Sequence, residues 1–249
     1  ARTMAKTQAP YHCEECGWTT LKWAGRCGEC QSWGTVVEVA APTTRSKQVK
    51  AVVPLGEGVA RPITEFSGED SGHQPTGVGE FDRVLGGGVV PGAVILLSGE
   101  PGVGKSTLLL DVAAKVAANN KTVLYVSAEE SAGQVHLRAT RTGGLYDRLL
   151  FANAMDLGVV LGHIQSNKPD LVVIDSVQTL SSGLIDGSAG GVAQVREVAA
   201  TLIRVAKETT VPIILVGHVT KEGNLAGPKV LEHMIDCFIM LEGGSESKY

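Results

Sequence analysis

The stretch Gly99-Glu100-Pro101-Gly102-Val103-Gly104-Lys105-Ser106, followed by Thr107, decides the fold. It fills G-x-x-x-x-G-K-[ST] at every fixed position, and its flanks agree with it. Before it, Ala93 to Leu97 reads as a buried strand; after it, Ser106 to about Asn119 carries a helical period. In a strand–turn–helix of this kind the glycines let backbone amides turn inward around a β-phosphate, at the positive end of the helix. Lys105 is placed to reach the β- and γ-oxygens, and the Ser106 hydroxyl to ligate Mg²⁺. A glycine-rich turn with an accidental lysine would explain the motif but not both flanks.

Outward from this loop, apolar strands alternate with helical segments. Strands are expected over Thr122–Ser127, Leu149–Ala152, Leu171–Ile174, Pro212–Gly217 and Phe238–Leu241. Helices are expected through Arg141, over Asp156–Asn167 and Gly191–Glu208, with a short one over Val230–Ile235. Such alternation predicts an α/β domain with a central, mostly parallel sheet covered on both faces. Ligands of these sheets sit at the carboxyl ends of the strands. Asp175 closes the Leu171–Ile174 strand, where its carboxylate can hold magnesium; a plain strand-exit cap is the alternative. Hydrolysis needs a second carboxylate to orient and deprotonate water, and Glu129 and Glu130 both stand just past Ser127. Glu129 is preferred, since either can also serve as a first-turn acid of the next helix. Asn167-Lys168-Pro169-Asp170 imitates the guanine-reading N-K-x-D motif but precedes Asp175 instead of following it. A helix end running into a turn explains it better, so ATP is favoured over GTP.

The first 35 residues are built differently, and all three tryptophans, Trp18, Trp23 and Trp33, fall there. Cys13-x-x-Cys16 and Cys27-x-x-Cys30 form two knuckles whose four thiolates can meet one zinc tetrahedrally, leaving no position open to water. The site is therefore structural, with His12 a bystander. A unit this small buries too little apolar surface to fold alone, so metal binding supplies its stability. The tryptophans either pack against the knuckles, the favoured reading, or lie exposed to stack on bases or a protein partner. The organisation expected is a zinc ribbon over residues 9–35, a proline-bearing linker over 36–62 and the ATPase core over 63–249. Cys237 lies in an apolar stretch and reads as core.

The formal net charge of −4 denies the chain a generally basic surface, so any grip on a phosphate backbone must come from local clusters or from subunits pooling theirs. No run of about 18 apolar residues exists to span a membrane, and the start lacks the apolar core of a secretory signal. Ala1 to Thr3 before Met4 read as a foreign extension, and the expected location is cytoplasmic.

Beyond these single motifs, the chain resembles the bacterial RadA (Sms) family of RecA-related DNA-repair ATPases. The resemblance rests on Lys22-Trp23-x-Gly25-Arg26-Cys27, Trp33-Gly34-Thr35, Thr76-Gly77 through Gly88, Pro91-Gly92 and Gly102 to Leu110. It continues through Tyr125 to Ser131, Asp175 to Thr179, His218 to Lys221 and Leu231 to Asp236. Four things are implied by it. The catalytic glutamate stands at Glu129; His218 stands where relatives keep a γ-phosphate sensor; ATP binds between subunits of a ring; and single-stranded or branched DNA is moved in recombination beside partners such as RecA. Two mobile, glycine-bearing segments would then face the ring channel: Ser181 to Gln194 with Arg196 just beyond, and Thr220 to Lys229 with Lys221, Asn224 and Lys229. The alternative is a scaffold in which ATP switches partner recruitment without motor activity. The family continues with Lys-Asn-Arg-Phe-Gly and a domain resembling the Lon protease, so this chain reads as a truncated form expected to assemble and hydrolyse poorly.

Overall fold

A computed structural model describes residues 11–38, 59–65, 72–219 and 227–243. The chain divides into two compact units, Ala1–Ile63 and Thr64–Tyr249.

In the first unit, β1 (Tyr11–Cys13) is flanked by β2 (Thr19–Thr20) and β3 (Val36–Glu38) in an antiparallel sheet of order β2-β1-β3. β3 begins the segment that the sequence reading assigned to the linker. It belongs to the sheet because β-branched Val36 is buried beside Cys13 and Cys27 and pairs with Cys13.

In the second unit, α1 (Gly79–Val84) precedes β4 (Val94–Gly99), α2 (Lys105–Ala118), β5 (Val123–Ser127) and α3 (Ala132–Arg141). β6 (Leu149–Ala152), α4 (Leu157–Asn167), β7 (Leu171–Asp175), α5 (Val192–Thr209), β8 (Ile213–His218) and β9 (Cys237–Leu241) follow. The six strands form one parallel sheet of order β6-β5-β7-β8-β4-β9. β8 thus lies between the phosphate-loop strand β4 and the acidic strand β7.

The strands read as unbroken apolar runs because both faces are buried. Val94, Leu96, Leu124, Val126, Val172, Ile174, Ile213 and Leu215 face one core, closed by Leu157, Val160 and Ile164 of α4 and by Val195, Val198 and Leu202 of α5. Their neighbours Ile95, Leu97, Tyr125, Val173, Ile214 and Val216 face the other, closed by Leu109, Val112 and Val116 of α2 and by Val135 and Ala139 of α3. Local signals fix the helix ends. Ser131 and Gln134 form a reciprocal capping box at the start of α3, and Asp156 caps α4 by accepting the Val159 amide at 3.2 Å. At the other end of α4, Lys168 turns left-handed (φ 45°), and the Asp170 carboxylate accepts the Thr122 amide at 2.8 Å. The guanine-motif lookalike is therefore a helix end and a turn brace.

One expected element differs. Instead of a helix over Val230–Ile235 there is a 3₁₀ turn at Pro228–Leu231. Asp236 accepts the Val94 amide at 2.8 Å and pairs with Lys207 at 3.2 Å, and β9 starts at the next residue. With buried Leu231 at one end and Asp236 fixed at the other, too few residues remain for an α-helix.

Candidate nucleotide site and zinc centre

The phosphate loop leaves β4 at Gly99, where no side chain fits: a Cβ there would stand 2.5 Å from the Leu241 carbonyl oxygen. Gly102 (φ 81°) and Gly104 (φ 96°) take left-handed conformations that turn the loop back on itself before α2 begins at Lys105. Lys105 is buried, and its ammonium donates to the carbonyls of Gly99 at 2.6 Å and Glu100 at 2.8 Å. Burial pushes its pKa down, opposed by the charges of Asp175 and Glu129.

Four strand ends converge beside this loop. Asp175, the last residue of β7, is 3% exposed and accepts the Ser106 hydroxyl through Oδ2 at 2.6 Å, while its buried Oδ1 faces His218 Nε2 at 3.5 Å. Burial pushes the Asp175 carboxyl up, but His218 and Ser106 as hydrogen-bonding neighbours, with the charges of His218 and Arg138, hold it below its ordinary range. His218, the last residue of β8, places Nε2 3.5 Å from both Asp175 and Glu129. Those two acids bring its pKa up to about 9 against the effect of burial. Ligand atoms of Glu129, Asp175 and His218 all lie within 4.8 Å of one another. A buried carboxylate beside a serine hydroxyl offers the oxygen ligands a hard divalent cation takes. Ser106 and Asp175 therefore fit magnesium.

The geometry separates the two glutamates. Glu130 is committed to Arg138, whose Nη1 donates to Oε2 at 2.6 Å, and its backbone is fixed by Ser127 and Asn153. Glu129 is half-exposed and faces His218. Two residues given no role by the sequence reading complete the site. Gln178, three positions past Asp175, makes a reciprocal amide clasp on the His218 backbone: Nε2 donates to its carbonyl at 2.9 Å and Oε1 accepts its N–H at 3.2 Å. Buried Gln194 gathers the segment Ser182–Gly187. It accepts the Ser182 amide at 2.8 Å and donates to the carbonyls of Ser182, Ile185 and Gly187 at 3.0–3.2 Å. This segment, expected to be mobile, is thus tied down. Arg196 is exposed early in α5 and Lys229 is exposed on the 3₁₀ turn; Lys221 and Asn224 lie outside the described residues.

In the ribbon, Cys13 and Cys30 stand 3.7 Å apart and Cys16 and Cys27 3.5 Å apart, and all four sulfurs fall within 4.8 Å with no disulfide. Thiolates at about 2.3 Å from one zinc stand about 3.8 Å apart along a tetrahedral edge, so the four cysteines fit that metal. The Thr35 hydroxyl, 3.2 Å from the Cys13 sulfur, brings that thiol down to about 6. His12 is outside the cluster. The tryptophans divide. Trp18 packs on the Cys13–Cys27–Val36 cluster, with Gly28 leaving room for its ring. Trp23 and Trp33 are 66% and 76% exposed, which corrects the expectation that they pack inward.

Comparison with known proteins agrees with this geometry. The chain belongs to the AAA domain family, which it matches over residues 80–224, and residues 11–38 match the rubredoxin metal binding domain. Together these define a RecA-like P-loop ATPase fold preceded by a four-cysteine zinc ribbon. Among curated relatives, DNA repair protein RadA of Mycolicibacterium smegmatis is 49% identical over 98% of this chain and 53% of its own length. RadA of Aquifex aeolicus is 45% identical over 96% of this chain and 53% of its own length. RadA of Bacillus subtilis is 43% identical with the same coverage, so the RadA resemblance read from the residues holds. The chain spans about half the length of these relatives. Among solved structures, the KaiC-like protein PH0186 of Pyrococcus horikoshii shares the fold, with a TM-score of 0.54 at 21% identity over 72% of this chain and 84% of its own. Among the described residues no helix is long and apolar enough to cross a membrane.

Proposed function

We propose that this chain carries the zinc ribbon and nucleotide-hydrolysing core of a DNA repair ATPase that uses ATP to move or remodel single-stranded or branched DNA in homologous recombination. The observation that carries the ATPase is Asp175, buried with one oxygen on Ser106 and the other facing His218, in a cluster with Glu129 and His218. Similarity to proteins named for DNA repair supports the nucleic-acid half of the reading.

Bound magnesium would screen the negative charge of the phosphate oxygens and so favour attack on the γ-phosphorus of ATP. The loop Gly99 to Thr107 would cradle the phosphates with its backbone N–H groups, Pro101 excepted. Lys105 would exchange its two loop carbonyls for β- and γ-oxygens, and Ser106 and Asp175 would hold the metal. Glu129 orients the attacking water and accepts its proton as the water oxygen bonds to the γ-phosphorus and the bond from that phosphorus to the departing ADP breaks. His218 contacts the γ-phosphate region from the central strand. Through the Gln178 clasp its position is passed to the segment after Asp175, where the held loop Ser182–Gly187 and Arg196 meet DNA, with Lys221, Asn224 and Lys229 on the neighbouring segment. Ring assembly in the full-length protein, cytoplasmic location and joint action with proteins such as RecA belong to the same reading.

The test is turnover with and without single-stranded DNA. Lys105→Ala abolishes nucleotide binding and turnover. Glu129→Gln retains binding and loses about 10²–10⁴-fold in turnover, the usual worth of a positioned base. Glu130→Gln keeps most of the rate. Full turnover in Glu129→Gln would remove the base assignment.

A further inference from the structure

The ribbon carries an aromatic surface that the ATPase reading does not use. A Cβ at Gly25 would stand 3.6 Å from Cη2 of Trp23 and 4.0 Å from Cζ3 of Trp33, so both indole edges converge over a bare glycine. A Cβ at that point would stand in ordinary van der Waals contact with both rings, and glycine leaves that point bare. The Arg26 guanidinium lies 5.6 Å from the Trp33 ring centre, within cation–π range, and its Nε is anchored on the Gln31 carbonyl at 2.9 Å. Lys22 is exposed next to Trp23.

The backbone beneath is held firmly. Arg26 pairs with Trp33 across the knuckle, the Gly34 amide donates to the Gly25 carbonyl at 2.9 Å, and Cys27 joins the zinc cluster. The backbone that carries Arg26 and Trp33 is therefore ordered before a ligand arrives, which lowers the cost of binding. Two exposed indoles whose edges meet over a glycine, with a guanidinium already stacked over one of them, match a flat ring that carries a phosphate beside it. A knob-like aliphatic side chain would match neither the planar faces nor the cation.

We propose that Trp23, Gly25, Arg26 and Trp33 form a base-stacking site for single-stranded DNA, in which the indoles take a nucleobase and Arg26 its neighbouring phosphate. The ligand class rests on the DNA-dependent reading of the ATPase; the site itself rests on the ribbon geometry.

All three tryptophans of the chain lie in the ribbon, so its intrinsic fluorescence reports this unit alone. Titrating the zinc-loaded chain with oligo(dT) should quench that fluorescence. An abasic oligonucleotide of equal phosphate number should not. Trp23→Ala and Trp33→Ala should each weaken the quench-reported affinity about tenfold, as loss of a base–aromatic stack does. Zinc content and ATP affinity should stay unchanged, and Trp18 should remain as the folding control. The site is overturned if oligo(dT) gives no quench at concentrations that raise ATP turnover, the outcome expected of a protein-docking surface. It is equally overturned if the abasic chain quenches as well, or if the quench survives both substitutions. Quenching without stimulated turnover would instead remove the motor reading and leave the site standing.

Discussion

Gly99 shows how little freedom the site leaves to single residues. A methyl group there would press on the Leu241 carbonyl at 2.5 Å and on Val103 Cγ1 at 3.0 Å, so β4 and β9 must part or the loop must shift. Gly99→Ala should cost about 1–3 kcal/mol. A thermal midpoint lowered by several degrees, with weaker ATP binding, would show it. Residues of this kind were legible in the sequence because their constraint is local and falls on a contiguous motif. Asp175 was legible because it ends an apolar run. The choice between Glu129 and Glu130 was legible only as a preference, since the group that occupies Glu130 is Arg138, one helix onward. Gln178 entered only as part of the Asp175–Thr179 match, which says nothing of its role: its partner His218 is 40 residues away, and nothing in a short window marks a glutamine as a clasp.

Elements show the same division between local and distant causes. Strands with two buried faces and helices with capping residues were readable as periods and punctuation. The segment over Val230–Ile235 was not, because its conformation is set by where Asp236 is tied to Val94 and Lys207. The loop after β7 is glycine-bearing and polar, which reads as mobile, yet one amide from the first turn of α5 collects its backbone. Gln194→Leu keeps the approximate volume but strands the Ser182 amide and three carbonyls, at a cost of about 1–3 kcal/mol for each group left buried and unpaired. Faster amide exchange at Ser182 and loss of DNA stimulation with basal ATP turnover retained are the expected results. An unchanged exchange rate would mean that the loop is held by something else.

The molecule as a whole contains two units stabilised by different physics. The ribbon's apolar cluster is small, comprising buried Cys13, Cys27 and Val36 with parts of Tyr11 and Trp18, so its fold depends on the metal; the ATPase core has two extensive apolar layers and needs none. A strong zinc chelator should therefore change tryptophan emission while ATP affinity stays within about twofold. A parallel loss of ATP binding would show that the units stand or fall together. The core has a plainer corollary for change over time. Asp175 and His218 end separate strands and Glu129 stands two residues past a third, while the strand interiors alternate residue by residue between opposite layers. One residue inserted within β5, β7 or β8 would turn the rest of that strand inside out, whereas residues added past a tip disturb no layer. Loops at this rim, outside the phosphate loop and the residues beside it, can therefore change in length without re-solving the fold, whereas the sheet's body cannot.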